Sequence, residues 1–341
     1  MKRWYLYPFS LLYHLITGLR NVFYNAGVFK STKFNTPIIN VGNLTVGGSG
    51  KSPMVMYIAE LLSRNYRTGI LSRGYGRVTK GYGVTNYESN YKTVGDEAMQ
   101  LFERFKNRFV IAVCENRVFG AKKVISDMDL NVLILDDAYQ HRAIKAGFNI
   151  LMTDYNDPFF KDYLLPAGSL RESRSGVSRA QLVMVSKCPD NLTEETKQFY
   201  ISRIHPQNGQ KVFFSSIIYD ENIFSNSKSM PDNNLAYYDI LLITGIANPE
   251  PLLTHLGKFA KKIKHLKFRD HHDFTEADIK NIMSEYKKLG EYKIILTTEK
   301  DYVRLKTFDY LRDIVYYWPI NVVIDKKEEF NQTILDYVRK N

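Results

Sequence analysis

Residues 38–61, IINVGNLTVGGSGKSPMVMYIAEL, constrain this chain more than any other stretch. A short apolar run of strand type leads into a glycine-rich loop, and Lys51-Ser52 opens a helical pattern. Glycines let backbone N–H groups turn inward around phosphate oxygens, and the helix N-terminus adds partial positive charge. In such a loop Lys51 reaches the β- and γ-phosphates and the Ser52 hydroxyl ligates Mg²⁺. Pro53 costs nothing just inside the helix, where the N–H is unpaired anyway. The fit to GxxxxGK[ST] is imperfect. Gly50, Lys51 and Ser52 are in place, but Thr45 stands at the first glycine position, with Gly47 and Gly48 inside the loop. Thr45, Val46, Gly47, Gly48, Ser49, Gly50, Lys51 and Ser52 are therefore the expected nucleotide-binding loop.

The second element of a P-loop site is an apolar strand ending in Asp, and Val132-Leu133-Ile134-Leu135-Asp136-Asp137 supplies it. One carboxylate of the pair would hold the Mg²⁺ shell, directly or through water. Guanine specificity in P-loop GTPases usually rests on an NKxD motif. The nearest segment, Ser186-Lys187-Cys188-Pro189-Asp190, has its acid one residue too far along, so ATP is the expected nucleotide.

From residue 36 onward, apolar runs alternate with amphipathic stretches, the pattern of an α/β domain with a mostly parallel sheet. Strands are expected at 38–41, 68–72, 109–113, 132–135, 149–152, 182–185 and 212–218, with helices between. Residues 220–236 are polar and read as a linker or surface excursion. A second alternation follows, with strands at 239–244, 294–297 and 315–318 and helices at 251–262, 275–288 and 328–339. The expected fold is thus a P-loop NTPase domain over 34–225, a smaller C-terminal α/β domain over 226–341, and an N-terminal amphipathic helix within 1–33.

The net charge is +11, which suits an anionic partner: nucleic acid, phospholipid headgroups or a phosphorylated substrate. No Asp or Glu precedes Glu60, whereas Lys2, Arg3, Arg20, Lys30 and Lys33 all lie early. Leu11, Leu12, Leu15, Ile16 and Leu19 fall at helical spacing. The segment is too interrupted by polar residues to span a bilayer and lacks a signal-peptide cleavage pattern. A basic, aromatic, amphipathic helix of this kind can lie in a membrane interface; the alternative is a helix packed on the protein's own core. With Cys114 and Cys188 alone, no disulfide framework is expected and a reducing cytoplasm is the default.

Further motifs carry a family likeness: VGNLTVGGSGKSP (41–53), SRGYGR (72–77), VGDEAMQL (94–101), ENR (115–117), DDAYQHR (136–142), LLPAGSLRES (164–173), TGIANP (244–249), RDHHDFT (269–275) and TTEKDYVRL (297–305). In this order and over this length the chain resembles the tetraacyldisaccharide 4′-kinases of lipid A biosynthesis. Thr45 is that family's own form of the loop. Ala138-Tyr139 replaces a usual Gly-Leu pair and Ser169 a common Pro, with no charged group lost. The resemblance implies that ATP and Mg²⁺ serve to phosphorylate the 4′-hydroxyl of an acylated glucosamine disaccharide 1-phosphate. It also implies a peripheral protein on the cytoplasmic leaflet of the inner membrane. No nucleic-acid module is needed and no protein partner is implied. The alternative is a P-loop NTPase that couples hydrolysis to a conformational change at the membrane; acceptor-dependent ATP consumption separates the two.

The family motif puts the catalytic acid at Asp96. It is expected to take the 4′-hydroxyl proton, with His271 favoured over His272 as its partner. A helix N-cap is the other common use of an Asp at this place. Asp137 joins Asp96 and His271 in the expected catalytic set, and Ser52, Asp136 and Glu97 form the expected metal set. Arg73, Arg77 and Arg171 lie in glycine- or proline-containing loops where a guanidinium can grip phosphate. With Gln140, His141 and His272 they make up the expected substrate-binding group. Because Asp96 and His271 lie in different domains, the site is expected in the cleft between them, closed by domain motion. Lys300-Asp301 either packs near the nucleotide or bridges the domains.

Overall fold

A computed structural model describes residues 4–207, 209–226 and 228–341. Lys2, Arg3 and the rest of 1–3, together with Ser227 of the polar stretch, lie outside the described residues. The strands are β1 (Ile38–Asn43), β2 (Thr68–Ser72), β3 (Gly83–Val84), β4 (Val110–Val113), β5 (Val132–Asp136), β6 (Phe148–Asp154), β7 (Leu182–Ser186), β8 (Lys211–Tyr219), β9 (Asn222–Phe224), β10 (Ser229–Pro231), β11 (Asp239–Thr244), β12 (Lys262–Lys267), β13 (Lys293–Thr298), β14 (Val315–Trp318) and β15 (Ile320–Ile324). The α-helices are α1 (Tyr7–Asn25), α2 (Lys51–Leu62), α3 (Tyr91–Val94), α4 (Asp96–Phe105), α5 (Arg117–Met128), α6 (Glu194–Ile204), α7 (Glu250–Leu256), α8 (Glu276–Lys287), α9 (Glu299–Leu305) and α10 (Lys327–Arg339).

Among the described residues the larger sheet runs in the order β15-β8-β7-β6-β1-β5-β2-β4-β3. Its interior pairs are parallel, and only the edge pairs β15–β8 and β3–β4 are antiparallel. β1, β5 and β7 are buried along their whole length, as continuous apolar runs must be when both faces of a sheet are covered. β1 sits between β5 and β6: the crossover from β1 runs to β2 on one side, and that from β5 returns past β1 to β6 on the other. That is the switch point at which α/β sheets open a crevice beyond the carboxyl ends of their strands. The loop 44–50 and Asp136 both lie there.

The second sheet has the order β10-β9-β14-β13-β11-β12. The sheets divide the chain differently from the expected boundary at 225/226. The stretch 220–236 is more than a linker: it carries the β9–β10 hairpin, which extends the second sheet past β14. β15 returns to the first sheet and pairs with the open edge of β8, from Ile320↔Tyr219 to Ile324↔Ser215. Such pairing covers the edge of β8, and β15 becomes the outer strand of the sheet. Phe330, Ile334 and Val338 of α10 then join the same core as Met54, Val55 and Ile58 of α2, and Val303 of α9 enters it too. The helix expected over 251–262 is shorter and ends at Leu256, followed by Gly257; Lys262–Lys267 is instead an edge strand. Its Lys-Ile-Lys-His-Leu-Lys alternation fits a half-buried strand better than a helix.

Helix α1 packs in an inverted sense. Its buried residues are Ser10 and Thr17, and its anchors are polar. Ser10 Oγ donates to Leu164 O at 2.9 Å and accepts from Ala167 N at 3.0 Å. Tyr13 donates to Arg171 O at 2.9 Å, and Arg142 donates to Asn21 O at 2.9 Å. Phe9, Leu11, Leu12, Leu15, Ile16, Leu19 and Val22 are exposed. Among the described residues no helix is long and apolar enough to cross a membrane.

Candidate active site

The loop after β1 turns through Gly47 (φ +112°) and Gly50 (φ +76°), conformations that a side chain resists. Gly50 caps α2, and a Cβ there would stand 3.3 Å from Ser186 Oγ. That hydroxyl donates to Ser49 O at 2.8 Å and so ties the loop to the end of β7. Lys187 reaches Gly48 O and pairs with Asp154 at 2.7 Å. On the other flank, Val46 N donates to Ser169 O at 2.8 Å, while Ser169 itself is held by Asp162 through its N–H at 2.9 Å and its hydroxyl at 2.5 Å. Lys51 Nζ donates to Asn43 Oδ1 at 3.2 Å and Gly47 O at 3.4 Å, and lies 3.8 Å from Asp137.

Asp136 and Asp137 end β5 in different environments. Asp136 is buried and its Oδ2 has no hydrogen-bond partner. Burial, then the charges of Glu97 and Asp137, push its carboxyl up to about 8 against the opposing pull of Lys51 and Arg117. Burial also works to raise Asp137, but Lys51 and the Arg171 hydrogen bond outweigh it and hold Asp137 below the ordinary value. Arg171 grips Asp137 with two nitrogens, at 2.7 and 3.2 Å. A buried acid with a free oxygen, beside two further acids and the Ser52 turn, offers the oxygen donors a hard cation takes. Among the described residues no three His, Cys, Asp or Glu side chains are grouped to hold a metal by themselves. Mg²⁺ needs no such cage, since it keeps waters and shares substrate phosphates with one or two carboxylates.

Gly95, at φ +90°, caps α4 and makes Asp96 its first helical residue, so Asp96 is not the N-cap. A Cβ on Gly95 would stand 2.9 Å from Tyr75 O. The Asp96 side chain turns to the second sheet, where its Oδ2 lies 2.9 Å from His271 Nδ1. Arg304 Nη2 is 3.4 Å from the same oxygen. His271 follows β12 in a left-handed turn (φ +55°), and its ring meets Tyr75 edge-on at 5.5 Å. Its neighbour His272 turns away. It bonds to Asp278 at 3.0 Å within the capping box of α8, and stacks on Phe268 at 4.8 Å.

The remaining expected residues divide. Glu97 follows Asp96 and faces Asp136 closely enough to raise its carboxyl. Gln140 donates to Asn43 O at 2.9 Å and Glu172 at 3.0 Å, beneath the loop. His141 sits among Arg117, Arg73, Asp137 and Arg171; burial first, then the arginines, lower it to about 4, so it is neutral at pH 7. Arg73 is exposed in the same neighbourhood. Arg77 is not brought to this group. It closes the 72–81 loop by pairing with Glu115 at 2.6 Å and donating to Gly81 O at 2.5 Å.

The pattern of the tetraacyldisaccharide-1-P 4′-kinase family matches residues 2–339. The chain belongs to that family. It is 41% identical over 338 residues to the tetraacyldisaccharide 4′-kinase of Flavobacterium johnsoniae, covering 98% of this chain and 97% of that one. It is 39% identical over 360 residues to the enzyme of the same name from Bacteroides thetaiotaomicron, covering 100% and 94%. A crystal structure of LpxK from Aquifex aeolicus in complex with ATP is similar over 99% of this chain and 100% of its own, with a TM-score of 0.79 and 29% identity. Within this family fold, several residues of the site escaped the sequence reading. Arg117 and Glu172, both inside quoted motifs, are buried charges beside the acids and Gln140. Lys187 was weighed only for nucleotide choice. Lys300, expected near the nucleotide or at the domain bridge, and Arg304 sit a helical turn apart on α9, but only the packing of α9 against α4 shows what they face.

Proposed function

We propose that this chain transfers the γ-phosphoryl group of ATP, with Mg²⁺, to the 4′-hydroxyl of an acylated glucosamine disaccharide 1-phosphate. The observation that carries this is the Asp96–His271 contact at 2.9 Å. A carboxylate from the nucleotide-binding sheet is oriented by an imidazole from the other sheet, one residue from the Glu97 that faces Asp136. Simple hydrolysis needs no such second element. The acceptor follows from the family's name and from the charge balance of +11, since a disaccharide 1-phosphate is anionic.

Lys51 exchanges Asn43 and Asp137 for phosphate oxygens, while the loop's N–H groups and the α2 N-terminus hold the same charge. Arg171 keeps Asp137 ionised and in place. Ser52, Asp136 and Glu97 would hold Mg²⁺, whose charge offsets that developing on the phosphoryl oxygens. Asp96 takes the hydroxyl proton as the acceptor oxygen attacks. Arg73 and His141 would serve the sugar side, supported by Arg73's exposure and by the arginines around His141.

The membrane reading rests on α1. A helix of a soluble protein turns its apolar stripe inward, whereas here serine, threonine and tyrosine hydroxyls face the protein and the apolar stripe faces out. A contiguous exposed apolar surface of this kind marks a docking face. Placed in the cytoplasmic leaflet, it would bring the cleft to a lipid substrate.

The test uses purified protein, γ-labelled ATP, Mg²⁺ and the tetraacyl disaccharide 1-phosphate in mixed micelles. Labelled lipid is expected with the wild type and not with Lys51→Ala or Asp96→Ala. ATP hydrolysis without labelled lipid would overturn the proposal in favour of an NTPase.

A further inference from the structure

Lys300 has no part in the chemistry described so far, yet its Nζ lies 2.7 Å from His271 Nε2. The side chain is mostly covered, 22% exposed, and the carboxylate of Asp270 is farther away at 3.8 Å. An ammonium has three donors and no acceptor, so in this contact Nε2 is the acceptor. A neutral imidazole has one donor and one acceptor nitrogen. The proton therefore sits on Nδ1, which donates to Asp96 Oδ2 at 2.9 Å. A doubly protonated ring would aim an N–H at the ammonium. The opposite tautomer would do the same, and would set the Nδ1 lone pair against the carboxylate. The assignment thus comes from the chemistry of lysine, not from the ring coordinates.

Both ends of the contact are referenced to one residue. Gly245 O accepts from His271 N at 3.1 Å, and Gly245 N donates to Asp301 Oδ2 at 2.9 Å. Asp301 also accepts from Thr298 Oγ1 at 2.8 Å, and Thr298 caps α9. A Cβ at Gly245 would stand 2.8 Å from Asp301 Oδ1, so the junction has no slack. Farther along α9, Arg304 Nη2 addresses the same Asp96 oxygen that His271 does. With Oδ2 so engaged, Oδ1 is the oxygen left for a substrate hydroxyl.

We propose that Lys300 is a positioning residue, which fixes His271 as the neutral Nδ1–H tautomer and thereby holds Asp96 with Oδ2 engaged and Oδ1 presented to the acceptor. The proposal rests on the reading of Asp96 as the catalytic acid–base group. It gives the Lys300-Asp301 pair its two jobs: Asp301 fixes the start of α9 and Lys300 reads out that position on the His271 ring.

The experiment is long-range ¹H–¹⁵N NMR on the full-length protein labelled at its seven histidines, with His271 identified by the signal lost in His271→Gln. The wild type should show His271 as the neutral Nδ1–H tautomer. Lys300→Met should lose that preference and lower kcat about 10–100-fold, by analogy with the groups that orient metal-ligating histidines. KM for ATP and for lipid should stay within about twofold, since the interaction concerns orientation at the reacting group. Lys300→Arg, which keeps a donor, should restore the tautomer and most of the rate. An imidazolium or an Nε2–H ring in the wild type overturns the proposal without recourse to any variant. So does Lys300→Met with an unmoved tautomer and rate. A raised KM for ATP at constant kcat also overturns it, by placing Lys300 on the nucleotide phosphates. Asp96→Asn separates the two layers. If it keeps turnover, the reading of Asp96 fails and takes the catalytic purpose of Lys300 with it; if it abolishes transfer while Lys300→Met does not slow it, the Lys300 proposal alone falls.

Discussion

Asp136→Asn should make the ligand-free protein more stable, and increasingly so as pH rises. The Asp136 carboxyl is fully covered, and burial with the nearby Glu97 and Asp137 raises it from 3.8 to about 8. For a carboxyl raised by folding, the unfolded chain sheds its proton above 3.8 while the fold retains it up to about 8. The stability gained by holding that proton is complete at low pH and is lost progressively across this window. Each pH unit in it removes about 1.4 kcal/mol, which gives ~4 kcal/mol by pH 7 as an upper bound. Asparagine mimics the protonated acid in shape and has no proton to lose. The variant and wild type should therefore coincide near about pH 4 and separate by a few kcal/mol near pH 7. Titrating groups that do not interact with Asp136 are common to both proteins and cancel in the difference, leaving Asp136 and its neighbours Glu97 and Asp137. Urea transitions recorded in chelator without nucleotide, in steps from about pH 5 to about pH 8, read this directly. A stability gap that stays flat with pH, or that shrinks as pH rises, would refute the reasoning. The same substitution should abolish phosphoryl transfer, because the unpartnered oxygen that destabilises the ligand-free fold is the one the metal would take.

The adjacent histidines should separate in function. His271→Gln is expected to lower kcat at least about 100-fold through loss of Asp96 orientation. His272→Gln, which touches Asp278 and Phe268, should cost about 1–2 kcal/mol of stability and leave kcat within about threefold, as steady-state kinetics beside thermal melts will show. Gly95→Ala forces a side chain into a left-handed turn 2.9 Å from Tyr75 O. It should cost about 1–3 kcal/mol and reduce kcat more than nucleotide affinity, because Asp96 is the next residue. Replacing Leu12, Leu15, Ile16 and Leu19 together by Ser should leave the melting temperature nearly unchanged, since these side chains touch little of the protein. In flotation with anionic liposomes it should weaken binding by at least about tenfold; unchanged flotation would remove α1 as the docking element.

Much of this protein was legible from local pattern. The 38–61 segment declares itself because strand, glycine loop and helix start are contiguous, and backbone torsions at Gly47 and Gly50 are dictated by residue type. β5 and its two acids are equally plain, since a strand buried on both faces must be apolar until it ends. Thr275 and the acids after it announce the start of α8, and the structure adds that Thr275 and Asp278 form a reciprocal capping box. Other features depend on where separate stretches come to rest. The edge strand Lys262–Lys267 alternates too briefly to stand out beside the helix expected just before it, and β15 pairs with the edge that β8 leaves open. Arg77 and Arg171 look alike in sequence, both in glycine- or proline-containing loops. Only the fold sends one to Glu115 and the other to Asp137. His271 and His272 differ by one residue, and a left-handed turn at His271 aims them apart. The sequence by itself determined the phosphate-binding loop, its acids and the α/β class, because those are written in contiguous residues whose torsions and burial are local matters. Tertiary structure alone decided that Lys300 sits on the His271 ring and that α1 turns its apolar face outward, because each needs elements far apart in the chain to be packed before any distance between them is defined.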